Sequence, residues 1–291
     1  MKPLAAEMDL NRIVRSADPA RFFASQFIPG IDRDDIFALH AFDLEIRKII
    51  RTIREPVAGE IRLQWWREVF QGTRNAETAA SPLAHLMLDL TQRHSIGPQI
   101  WENYLDGRIF DLYDDAVEDR AAFEAYAGQT EGTVLQLACL MLDRGQSTSA
   151  SQVSGYLACV FCLWDRVLQP VLYTDQPLTS QRVNRISRYL PPELRDASGL
   201  VANPYLESEA VDIERAVSEV RVVAESYLEK ARAAADTVPP TLRPAFLHAA
   251  PMASQIAKLH RLSQLELPLK KAGTARLIWQ LWRSSKRWPC F

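Results

Sequence analysis

Three carboxylates stand within five residues in the stretch FDLYDD: Asp111, Asp114 and Asp115. Hard cations such as Mg²⁺ take oxygen ligands, so such a group is a candidate cation site. A helical reading puts Asp111 on one face with Asp114 and Asp115. The plainer reading is a solvated acidic helix end. A cluster of opposite sign follows Asp43 in FDLEIRKIIRTIR, which carries Arg47, Lys48, Arg51 and Arg54. Guanidinium forks bind phosphate directly, so Arg47, Lys48 and Arg51 are candidates for holding a phosphate or an anionic lipid head group without metal. The alternative is a charged helix face in water. Asp43–Arg47 and Arg51–Glu55 are i,i+4 pairs, worth about 0.3–0.5 kcal/mol each. On this reading Asp43, Arg47, Arg51 and Arg54 lie opposite an apolar stripe of Leu39, Phe42, Ile46, Ile49 and Ile53.

Other site chemistries find little support. Cys159 and Cys162 have C-x-x-C spacing, but GYLACVFCLWD is an apolar helical context with no second cysteine pair or histidine cluster nearby. Buried core thiols are the expectation. Four cysteines in 291 residues make no disulfide framework. The histidines, His40, His85, His94, His248 and His260, show no H-x-x-x-H or H-E-x-x-H spacing. No G-x-S-x-G, P-loop or G-x-G-x-x-G sequence occurs. With a net charge of -2 and a pI of about 6.2 there is no global basic field to recruit nucleic acid.

The elements that must position these residues read as helices. Apolar positions recur at three- and four-residue spacing, without sustained period-two alternation. Pro- and Gly-marked breaks such as IPGIDRDD, REPVAGE, HSIGPQ and TVPPTLRP separate about ten helices. Pro56 falls in a first helical turn, where its missing N–H costs nothing. The longest uninterrupted pattern covers 207–237. Trp65 and Trp66 recur with Val69 and Phe70 at helical spacing and predict core packing. The N-terminal stretch lacks an apolar run and carries early acidic residues, so it reads as neither secretory signal nor transit peptide. No apolar run approaches the roughly 20 residues of a membrane span. A cytoplasmic protein is expected.

The C-terminus differs from the rest. Leu277, Ile278, Leu281 and Trp282 form an apolar stripe. Lys270, Lys271, Arg276, Arg283, Lys286 and Arg287 add a local basic excess, with Trp279 and Trp288 as amphipathic rings. Two uses fit: a helix at an anionic membrane surface, peripheral on the inner membrane, or a terminal helix docked with its charges in water.

Several blocks resemble the squalene/phytoene synthase family of head-to-head prenyl transferases. DPARFFASQFIPGIDRDDIFALHAFDLEIRKI and RLQWWREVF are similar to its first blocks. DGRIFDLYDD, FEAYAGQTEGTVLQLA and GYLACVFCLWDRVLQPVLY are similar to its central and later ones. The resemblance implies an all-α, single-domain isoprenoid-synthase-type helical bundle around a central cavity. Its implied division is an N-terminal segment 1–17, the helical domain 18–268 and a basic amphipathic C-terminal helix 269–291. Family enzymes place two acidic motifs across the cavity to hold Mg²⁺, which neutralises a departing diphosphate. Here the first motif falls on Arg47-Lys48-Ile49-Ile50-Arg51, with arginines in place of both chelating aspartates. The second falls on Asp165-Arg166-Val167-Leu168-Gln169-Pro170 and lacks its acidic pair. EPVAGEIRLQWWREVF, RPAFLHAA and ARLIWQLWRSSKR resemble the family's non-catalytic branch, which includes a mitochondrial respiratory complex I assembly factor.

The resemblance implies a non-catalytic scaffold or assembly factor at a membrane, with a protein client and no cofactor. Arg47 and Arg51 would then be neutralised by Asp111, Asp114, Asp115 or Asp165. Two alternatives stand beside it. One is a prenyl transferase condensing prenyl diphosphates with Mg²⁺ on rearranged carboxylates. The other is a module binding a prenyl diphosphate or lipid in an open apolar tunnel ending at Arg47 and Arg51.

Overall fold

In the computed structural model the described residues are 9–74, 78, 80–143, 150–176, 178–200, 212–264 and 267–291. Among them there is no strand. The principal helices in chain order are α1 (Leu10–Ala17), α2 (Pro19–Ser25), α3 (Gly30–Thr52), α4 (Pro56–Phe70), α5 (Pro82–Arg93), α6 (Pro98–Ile109), α7 (Arg120–Ala127) and α8 (Thr133–Leu142). There follow α9 (Ser151–Leu163), α10 (Ser180–Ser187), α11 (Pro192–Ser198), α12 (Ile213–Ala234), α13 (Ala249–Ile256) and α14 (Thr274–Ser284).

Helix starts follow local chemistry. Proline opens α2, α4, α5, α6 and α11, at positions where no intrahelical N–H bond is lost. Asp18, Ser81, Asp119 and Asp212 each accept a backbone N–H of the first turn of α2, α5, α7 and α12. Gly199 ends α11 in the left-handed region at φ 67°, a conformation that favours glycine. The 207–237 pattern is helical from Ile213 to Ala234, and 207–211 lie outside the described residues.

The chain gathers into two compact units, each assembled from several segments. The first contains the described residues of Met1–Tyr113, Thr133–Ala150 and Pro239–His248. Its core is aromatic. Phe42 on α3 meets Trp66 of α4 at 4.9 Å, Trp101 of α6 at 5.3 Å and Phe70 of α4 at 5.5 Å between ring centroids. Phe70 stacks on Trp101 at 4.6 Å and 7°. The Trp101 indole N–H donates to Thr91 Oγ1 at 3.1 Å, so its polar edge is satisfied in the core. Trp66 is buried as expected, whereas Trp65 is half-buried and lines a cavity.

The second unit comprises the described residues of Asp114–Gly132, Ser151–Val238 and Ala249–Phe291. Helix α9 packs along α12 and continues through a π-helical segment, Trp164–Leu168, to Leu172. The resulting helix, Ser151–Leu172, is long and apolar enough to cross a membrane by length and composition. That corrects the expectation from the sequence, which counted uninterrupted apolar runs and so stopped at Asp165 and Arg166. Two-thirds of this helix's apolar window is buried inside the protein, the pattern of a core helix. Cys159 and Cys162 are buried on it, and burial pushes the Cys159 thiol up to about 12.

Candidate functional site

The charged residues of α3 do not form one solvated face. Asp43 is fully buried, and a polar cluster of the first unit gathers around it. It stands four residues after Leu39 and three before Ile46, a spacing that places it on the buried side. The surface reading of Asp43 is therefore corrected by the same helical period that identified the stripe.

Four groups converge on the Asp43 carboxylate. Arg21 Nη1 of α2 donates to Oδ2 at 2.6 Å, and Arg47 Nε to the same oxygen at 2.8 Å. Tyr104 Oη and Arg108 Nη2, both of α6, donate to Oδ1 at 2.6 and 2.8 Å. Arg108 is itself fully buried and lies over the Tyr104 ring at 5.2 Å. Its Nη1 also meets Asp111 at 3.5 Å, while Arg21 Nε meets Asp18 at 3.4 Å. Three arginines and three aspartates thus balance formally. Burial opposes the Asp43 charge. Arg47, Arg21 and Arg108, with the Tyr104 hydrogen bond, outweigh it and hold the carboxyl well below the usual range. Burial, with Asp43 beside it, raises the Tyr104 hydroxyl and keeps it a neutral donor.

His40 lies one turn before Asp43 and is also buried. Its Nδ1 has no hydrogen-bond partner, and its ring meets that of His248 edge-on at 6.2 Å. Burial, then Arg21 and His248, push its pKa well below the ordinary value, so the ring is neutral. Because the folded pKa is depressed, the unfolded chain takes up the proton first as pH falls. Stability from this group is complete above about pH 6.5 and falls by about 1.4 kcal/mol per pH unit below it, until the folded pKa is reached. Denaturant titrations of wild type and His40→Gln between pH 7.5 and 5 should show the slope reduced in the variant.

The other candidate residues separate. Lys48 and Arg51 are exposed on α3. Asp111 sits in a 3₁₀ turn, Phe110–Leu112, that ends the α6 helix. Asp114 and Asp115 lie beyond that turn, exposed, with Asp114 3.8 Å from Arg188. The shared helix face expected for Asp111, Asp114 and Asp115 is therefore absent, because the helix stops at Leu112 before the last two carboxylates. Among the described residues no three His, Cys, Asp or Glu side chains come together as a metal ligand set. The expected i,i+4 pair of Asp43 with Arg47 is present, but buried rather than on a solvated face, and Asp43 is not among the carboxylates expected to neutralise Arg47 in a cavity.

Asp165 and Arg166 lie in the π segment of the second unit, where Arg166 stacks over the Tyr189 ring at 5.5 Å. Both border an open groove of about 600 Å³ that Pro170, Arg182 and Arg185 also line. The Arg182 guanidinium is turned to backbone, with Nη2 donating to the Pro170 carbonyl at 3.1 Å and Nη1 to the Gln176 carbonyl at 3.4 Å. In the first unit a cavity of about 350 Å³ is lined by Glu45, Ile49, Arg62, Trp65, Trp66 and Leu83. Arg47 and Arg51 are not among its described lining residues.

Helix α14 has one docked side and one exposed side. Leu281 is fully buried, and Gln280 Nε2 reaches the Ala250 carbonyl of α13 at 3.5 Å. The following residues are tied down: Trp288 Nε1 donates to the Ala235 carbonyl at 2.9 Å, and Arg232 Nε to that of Phe291 at 2.9 Å. Trp279, Trp282, Arg276, Arg283, Lys286 and Arg287 remain exposed.

The helix content and order define an all-α, isoprenoid-synthase-type chain. The chain belongs to the squalene/phytoene synthase family, whose model matches residues 14–283. It is similar to assembly factor 6 of NADH dehydrogenase (ubiquinone) complex I from Homo sapiens, 22% identical over 86% of this chain and 72% of that protein. The Bos taurus counterpart is 23% identical over the same shares. Among solved structures, a dehydrosqualene synthase in complex with ligand has the same fold, with TM-score 0.71 and 14% identity over 97% of this chain and 96% of that one. Squalene synthase HpnC from Alicyclobacillus acidocaldarius follows at TM-score 0.63 and 13% identity, covering 90% of this chain and 99% of that one.

Proposed function

We propose that this chain is a non-catalytic member of its family that acts as an assembly factor for a respiratory complex I-type NADH dehydrogenase. It would work on a protein client at the cytoplasmic face of the inner membrane. One observation carries the reading: where the resemblance leads one to expect a metal-binding motif, α3 presents Arg47, bound to a carboxylate that Arg21 and Arg108 also hold, and an exposed Arg51. A divalent cation beside Arg47 would be repelled, and Asp43 could bind it only by releasing cations that burial makes expensive to strand. The similarity to complex I assembly factor 6 over most of both chains supports the same reading.

Two measurements test it. Deleting the gene in its own host should reduce assembled NADH dehydrogenase on native gels and NADH-to-quinone activity of membranes, with recovery on re-expression. The purified chain with farnesyl diphosphate and Mg²⁺ should release no pyrophosphate above a protein-free control. Mg²⁺-dependent release would establish a prenyl transferase with rebuilt carboxylates and overturn the non-catalytic reading.

A further inference from the structure

We infer that the outer face of α14 is a docking surface for an anionic lipid bilayer. The inference rests on the part of the proposed function that places the chain at a membrane, and it names the contacting residues. Helix α14 is held to the second unit by one side only, through the fully buried Leu281 and the Gln280 contact to α13. Its other side shows Ile278, Trp279 and Trp282 at 42%, 55% and 54% exposure. Large apolar side chains concentrated on one exposed face need a partner.

The charge pattern selects that partner. From 268 to 291 the chain carries Lys270, Lys271, Arg276, Arg283, Lys286 and Arg287 and no acidic side chain. The cations are interleaved with the rings: Arg283 lies over Trp279 at 5.5 Å and Lys286 over Trp282 at 6.0 Å. Indole rings favour the head-group layer, where an apolar body and a polar edge are both accommodated. Cations of one sign match a surface of one sign, and each is worth about 1 kcal/mol near an anionic leaflet. An acidic protein surface would also take the charges. The uniform sign and the three lysines favour lipid, since protein interfaces deplete lysine. The tail beyond α14 folds back onto Ala235 and Arg232, so the face is presented by a fixed helix.

The test is flotation of the purified full chain with vesicles of phosphatidylcholine alone or mixed equally with phosphatidylglycerol. The expected result is binding to the mixed vesicles only, released by high salt, which shortens the range of charge attraction. Arg283→Glu with Lys286→Glu should weaken binding by about 25-fold or more, at about fivefold per cation. Trp279→Ser with Trp282→Ser should also weaken it, with thermal melting unchanged in both pairs. Absence of wild-type binding, or equal binding to neutral vesicles, overturns the inference. Retained binding in both α14 pairs, with loss in Lys48→Glu plus Arg51→Glu, moves the contact to α3 and overturns it too. If the α14 pairs keep vesicle binding but fail in the gene-deletion assay, the face meets a protein and the lipid assignment falls. Flotation reads docking alone and the deletion assay reads assembly, so failure of one is distinguishable from failure of the other.

Discussion

Replacing Asp43 by asparagine should destabilise the protein by about 3–5 kcal/mol, the usual cost of removing one partner from a buried ion pair. The substitution keeps the side chain's shape and removes its charge. Arg21, Arg47 and Arg108, which donate to it at 2.6, 2.8 and 2.8 Å, would then face a neutral amide in a site where Asp43 and Arg108 are fully buried. The expected fall in Tm is about 5–8 °C, read by calorimetry at neutral pH. Acid should mimic it. Since the folded pKa of Asp43 is depressed, its contribution is complete above about pH 4 and is lost as pH falls towards the folded value. Adding Arg108→Met to Asp43→Asn should cost less than the sum of the two single changes, because it removes one stranded cation. A coupling energy of about 0.5–3 kcal/mol is expected for groups in one network. An additive pair would mean that the cluster is not cooperative.

Phe42→Ala should cost about 3–5 kcal/mol by the ordinary penalty for deleting a buried aromatic ring. Phe42 is 1% exposed, and its ring touches those of Trp66, Phe70, Trp101 and Tyr104, which belong to α4 and α6. Truncation leaves a cavity that two helices would have to shift to close. It also loosens the wall beside Asp43, so the variant's stability should depend less steeply on pH below about 4. Arg51→Ala, on the exposed side of the same helix, should change stability by no more than about 0.5 kcal/mol. Chemical denaturation of the three proteins decides this, and equal losses at Phe42 and Arg51 would refute the burial argument.

The contrast between those two residues shows what local sequence carries. The helical period, proline at a first turn and Pro- and Gly-marked breaks are properties of neighbours a few residues apart. They made α3, α4 and α12 legible, and with them the all-α class. The block order also led to the family, because type and spacing survive where identity does not. The run of Arg47, Lys48 and Arg51 after Asp43 was likewise visible in the chain itself.

What the tertiary structure decided is where each charge finds its opposite. Asp43 and Arg47 are one helical turn apart, but Arg21, Tyr104 and Arg108 come from α2 and α6, up to 65 residues from Asp43 in sequence. Nothing local marks them as partners. The end of α6 at its 3₁₀ turn likewise separates Asp111, turned to Arg108, from Asp114 and Asp115 in water. Composition alone did not say which side of the C-terminal stripe is docked, and packing buries Leu281 and leaves Trp279 and Trp282 outside. A charge or an indole has the same local pattern in water and in a core. Only the helices packed around it determine its solvation, and so what it can bind.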